Sequence, residues 1–184
     1  MKTLLASPWA RWGLAGLLQL ALVGLPLADR LQVHWFGQEV TLALRPVDPR
    51  DLLRGDYVIL NPEIQLVDVG VGVPQDLFGG DAVWVVVEPD GEGISRAVAV
   101  LSAPPADGRI ALKGQVSRTS SPTADTLRID YGLDAFFVPE GQGLEIERMP
   151  RDRVRLVVAV SADGRSAPLR LVADGEVLLK DSAF

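Results

Sequence analysis

Apolar residues recur at every second position along most of this chain, and an extended backbone places such residues on one face. Val40, Leu42 and Leu44 alternate with Glu39, Thr41 and Ala43 until Arg45-Pro46 ends the run. Tyr57 to Val67 predicts a second strand, and Asn61-Pro62 within it suits an edge or a bulge, because proline cannot donate to a ladder. Val83 to Glu88 reads as a continuous apolar strand closed by Pro-Asp-Gly. Further strands are expected over Arg96 to Leu101, Arg109 to Val116 and Thr126 to Leu133. Arg153 to Val160 places Val154, Leu156, Val158 and Val160 on one face and both arginines on the other, and Ala167 to Leu179 reads as a last hairpin.

Turn signals separate these runs at short, regular intervals, and a short helix is expected over Val73 to Phe78. The apolar share is 48% with only 6% aromatic, so the core is built mainly from Val, Leu and Ala. The fold class is therefore mainly β, an antiparallel sandwich or barrel-like domain. A chain of 184 residues holds one such domain and an anchor.

The anchor is the uncharged run from Trp12 to Ala28, close to the shortest length that crosses a membrane as a helix. Arg11 can snorkel toward headgroups, and Trp9, Trp12, Trp35 and Phe36 flank the run as interfacial aromatics. Lys2 and Arg11 precede it while Asp29 and Arg30 cancel after it, which keeps the N-terminus cytoplasmic. The expected organisation is a cytoplasmic segment 1–11, a transmembrane helix 12–28 and an exported β domain 29–184. A cleaved signal peptide is the competing reading, but Pro26-Leu27-Ala28 puts proline where a small residue belongs.

Several chemistries are excluded or disfavoured by residue type. There are no cysteines, which removes disulfides, thiolate metal sites and cysteine nucleophiles. The single histidine, His34, beside Trp35, reads as an interfacial residue, and no multi-histidine metal site is available. Net charge is −6 without a basic stripe, so nucleic acid is not an expected partner. An anchor followed by a β domain invites comparison with type I signal peptidases and their Ser–Lys pair. No serine lies between Pro8 and Ser95, so that nucleophile position is vacant. No cofactor is expected.

Two segments concentrate the unusual residues. In the first, Asp48-Pro49 suits a helix N-cap with proline at the first helical position, Gly55 suits a left-handed stop, and Asp56 caps the entry into Tyr57. Arg54-Gly55-Asp56 runs directly into a strand, which argues against an adhesion tip. In the second, Glu140, Glu145 and Glu147 form an acidic group, most simply solvated loop carboxylates.

Together, PVDPRDLLRGDYVIL and YGLDAFFVPEGQGLEIER resemble the GDYXXLXY protein family. Gly55, Asp56, Tyr57 and Leu60 match its signature, with Pro62 where the final tyrosine would stand; Phe136 to Gly141 and Glu145 match a later aromatic-Val-Pro-Glu-Gly segment. The resemblance implies a small bacterial protein anchored in the cytoplasmic (inner) membrane, with no assigned activity and a multi-spanning membrane protein as partner. The candidate binding residues are Asp51, Arg54, Gly55, Asp56, Tyr57, Leu60, Glu140, Gly141 and Glu145. The expectation is a single-pass, non-enzymatic envelope interaction module. The alternative is a carboxylate-dependent hydrolase or cell-wall binding enzyme using Asp56 with Glu140 or Glu145.

Overall fold

The computed structural model describes residues 8–45, 57–74, 76–117, 125–137 and 153–181. Packing divides the chain into two compact units, with the division between Gln32 and Val33. The first consists of most of helix α1, Pro8–Phe36, which carries Pro26 inside it. At 1.5 Å per residue such a helix is roughly 40 Å long, more than a bilayer's hydrocarbon core requires. Its leucines from Leu14 to Leu27 are exposed, Leu22 to 73%. It is long and apolar enough to cross a membrane.

The second unit begins with the last turn of α1. Val33 is 4% exposed and packs on Ala159 and Ala167. Gly37 then breaks the helix, donating its N–H to the Val33 carbonyl at 2.9 Å. A Cβ there would lie 2.6 Å from that oxygen and 2.9 Å from the Ala159 Cβ, so only glycine permits the approach. Strand β1, Gln38–Ala43, starts at the next residue.

The remaining strands are β2 (Tyr57–Ile59), β3 (Leu66–Asp68), β4 (Ala82–Pro89), β5 (Ser95–Leu101), β6 (Ala111–Val116), β7 (Thr126–Asp130), β8 (Ala135–Phe137), β9 (Val154–Val160), β10 (Ser166–Ala173) and β11 (Glu176–Lys180). They form two antiparallel sheets, ordered β1-β9-β10-β11 and β3-β7-β6-β4-β5, and a two-stranded ribbon of β2 with β8. The register puts Val40 opposite Val158 and Leu42 opposite Leu156. These side chains join Val83, Val85 and Val87 of β4, Leu112 of β6 and Ile129 of β7 in one core. Two bonds tie the β9–β10 turn to the other sheet: Trp84 Nε1 donates to the Asp163 carbonyl at 2.9 Å, and Lys113 N to the Gly164 carbonyl at 2.7 Å. Pro168 sits at a bulge in β10, beyond the residues that pair with β11, where its missing N–H is tolerated.

The fold class expected from the alternation is the one observed, with three local differences. The Tyr57–Val67 run is not one strand: β2 ends at Ile59, a 3-10 turn occupies Glu63–Gln65, and β3 starts at Leu66. Pro62 forms only an isolated bridge with Leu44. No helix forms over Val73 to Phe78 among its described residues; the single 3-10 turn nearby is Val69–Val71, and the Phe78 N–H is instead bound by the Asp81 carboxylate at 2.9 Å. In β9, Val157 and Ala159 are buried as well as the alternate set, because Val33 covers Ala159 on the second face. The capped turn expected over Asp48 to Gly55 lies outside the described residues.

Candidate functional site

The two segments singled out in the sequence are hydrogen-bonded to each other. Strand β2 pairs antiparallel with β8, with Tyr57 opposite Phe137, Val58 opposite Phe136 and Ile59 opposite Ala135. The signature strand and the aromatic end of the second segment thus form one ribbon, although about 80 residues separate them in sequence. A three-pair ribbon gains little by itself, since isolated two-stranded pairings are marginal in water.

What holds the ribbon is a set of polar contacts at its inner end. Leu60 follows β2 and is fully buried at 0% exposure, and its N–H donates to the Asp134 carbonyl at 2.8 Å. The Asp134 side chain accepts from Gln65 Nε2, also at 2.8 Å. Tyr131 donates its hydroxyl to the Ile64 carbonyl at 3.0 Å. On the opposite side, Arg45 N donates to the Asn61 carbonyl at 2.8 Å, beside the Leu44–Pro62 bridge. The run from Leu60 to Gln65 is therefore clamped between the end of β1 and the segment Tyr131 to Asp134.

Burial fixes the chemistry of these groups. Gln65 is 7% exposed, so its amide must find a partner inside the protein, and the Asp134 carboxylate supplies one. Partial burial pushes the Asp134 carboxyl above the usual carboxylate range, the Asp130 charge pushes it the same way, and the Gln65 hydrogen bond opposes both. Burial raises the Tyr131 phenol well beyond its ordinary range, so it stays a neutral donor. Among the described residues no three His, Cys, Asp or Glu side chains gather as a metal group.

The sequence-predicted residues divide between described and undescribed positions. Tyr57 lies in β2 opposite Phe137, and Leu60 lies in the core. Asp51, Arg54, Gly55, Asp56, Glu140, Gly141 and Glu145 lie outside the described residues, so the carboxylate pairings of the hydrolase alternative do too. Asp56 immediately precedes β2, and Val138 immediately follows β8. Gln65, Tyr131 and Asp134 were missed by sequence reasoning as site residues. Two of them stand in the YGLDAFF portion of the second segment, and Gln65 is a lone amide among apolar neighbours, which is the available signal.

The sequence model of the GDYXXLXY protein family matches residues 19–171. No match was found among curated proteins or solved structures. The match spans the second half of α1, the signature strand and its β8 partner, and every strand through most of β10. On that coverage the chain belongs to the GDYXXLXY protein family.

Proposed function

We propose that this protein is a single-pass, membrane-anchored interaction module, and that the β2–β8 ribbon with the segments flanking it contacts a multi-spanning partner in the bacterial cytoplasmic membrane. In this reading α1 is the anchor, the N-terminus is cytoplasmic, and the β domain lies on the extracytoplasmic side. The observation that carries it is the pairing of Tyr57–Ile59 with Ala135–Phe137, which draws the two signature segments into one place. A ribbon of three pairs adds little stability by itself, so a recognition role accounts for the concentration of unusual residues beside it better than stability does. The reading assigns no reaction to the protein.

Purification of the full-length protein from native membranes in mild detergent tests this. One membrane protein should co-elute reproducibly and be lost from Tyr57→Ala. It should be retained by Val177→Ala, at an exposed position on the edge strand β11. Elution of the wild type alone, or equal retention by both variants, would overturn the reading.

A further inference from the structure

We propose that a cleft at the seam of the five-stranded sheet binds a short, extended peptide with free termini. Strands β3 and β5 are the two edges of that sheet, β3 pairing only with β7 and β5 only with β4. Both nevertheless line one cavity of about 180 Å3, β3 through Leu66 to Asp68 and β5 through Ser95 to Ala97. The sheet therefore curls until its edges face each other without pairing. Edge strands present unpaired N–H and C=O groups, and an extended peptide is the ligand whose own backbone satisfies such groups.

The charges along the cleft define the ends of that ligand. Arg45 lies beside Asn61, to whose carbonyl its N–H donates, and among the described residues no carboxylate pairs with its guanidinium. Asp68 closes the other end of the same run, with Oδ1 accepting from Gly70 N at 2.7 Å. The second arginine, Arg96, is already engaged by Asp90 at 2.9 Å and by Glu63 at 3.8 Å. Between the ends, Ile64 and Val67 are buried apolar residues, and the buried Ser95 faces them from β5. Beyond Asn61 a 3-10 turn, Glu63–Gln65, and strand β3 lead to Asp68, and Arg45 and Asp68 line the same cavity. An extended tripeptide, about 10 Å long, would set its carboxylate on Arg45 and its ammonium on Asp68. The cavity is smaller than a pocket for a drug-sized ligand, which restricts the peptide to small apolar side chains.

Calorimetric titration of the detergent-solubilised full-length protein with trialanine tests the proposal. Saturable binding is expected. Amidation of the peptide's carboxyl end, or acetylation of its amino end, should each weaken it about tenfold, the loss of one charge-assisted hydrogen bond. Arg45→Gln should reproduce the effect of amidation and Asp68→Asn that of acetylation, in proteins that melt as the wild type does. The blocked peptides keep the test independent of how the variants fold. Absence of saturable binding, or equal binding of the free and doubly blocked peptides, would overturn the assignment.

Discussion

The β9–β10 hairpin and the β2–β8 ribbon are both antiparallel pairs, yet they are held by different physics. In the hairpin, β9 is buried from Leu156 through Val160 on both faces, and its register with β1 and β10 follows from apolar side chains meeting across the sheet. A slip of one residue would carry Val40 and Leu42 of β1 away from the core, so hydrophobic burial specifies that pairing. The ribbon has three pairs and depends on neighbouring polar contacts, those of Leu60 N, Gln65 and Tyr131 with the 131–134 and 60–65 backbones and the Asp134 carboxylate. Beside a pairing this short, directional bonds help to fix the register. The family signature lies in the region of the second kind.

Leu60 links the two regimes, because it ends the signature strand and yet sits fully inside the main core. Leu60→Ala should cost the most of the changes considered, about 2–5 kcal/mol, through lost burial and the cavity left behind. Thermal melting of the full-length protein in detergent checks it. A loss under about 1 kcal/mol would mean that the ribbon is not anchored to the core at this residue.

Gly114→Ala strikes the frame without touching the ribbon. The added Cβ would lie 2.5 Å from Ile129 Cγ2 and 2.8 Å from the Asp130 carbonyl, and the second of these is backbone that cannot swing away. Overpacking of this kind costs about 1–3 kcal/mol, visible as a lower melting temperature. Partner retention in the folded fraction should be unchanged. Coupled loss of both would show that frame and ribbon are not separable.

The same contrast explains what could be read from the sequence. Strands β1, β4 and β9 were legible because alternation or continuous apolar runs mark buried strands directly. Strand β8 was not, since Ala-Phe-Phe is too short to show a period and pairs with residues far away. The single strand expected through Asn61-Pro62 fails for a local reason: proline has no N–H to continue a ladder, and the chain turns instead. The described ends of the two signature segments, Tyr57–Ile59 and Ala135–Phe137, pair across about 80 residues, which no local pattern announces. The Gln65–Asp134 contact joins residues 69 apart, and no local pattern encodes such a meeting. The second buried face of β9 was hidden likewise, because its cover comes from Val33 at the end of the helix.

Tyr131→Phe sharpens the comparison from the polar side. It removes one donor and keeps the ring, so the Ile64 carbonyl loses its partner while packing is nearly unchanged. The expected cost is about 1 kcal/mol. Amide hydrogen exchange should rise at Leu60 and in β2, with β9 and β10 unaffected. Uniform loss of protection across the domain would show that the hydroxyl supports the frame rather than the ribbon.

The smallest effect, and the one with a sign of its own, belongs to Asp134. Its carboxyl is raised in the folded protein, so over the interval between its ordinary and its raised value the folded state holds more proton than the unfolded state. Stability from this group is therefore greatest below the ordinary carboxylate range and falls as pH rises through the raised value. At neutral pH the ionised form is a mild penalty, reduced by solvent screening because the side chain is partly exposed. Asp134→Asn removes the charge and its repulsion from Asp130 but keeps an oxygen for Gln65 Nε2. The variant should be more stable than wild type at pH 7 by roughly 0.3 kcal/mol, and the two should converge at acid pH. Every other carboxylate titrates in both proteins, so the difference between their melting curves isolates this one group. A variant less stable than wild type at pH 7 would mean that the ionised carboxylate is what holds Gln65, and that the ribbon's inner end is fastened by charge rather than by a neutral hydrogen-bonding shape.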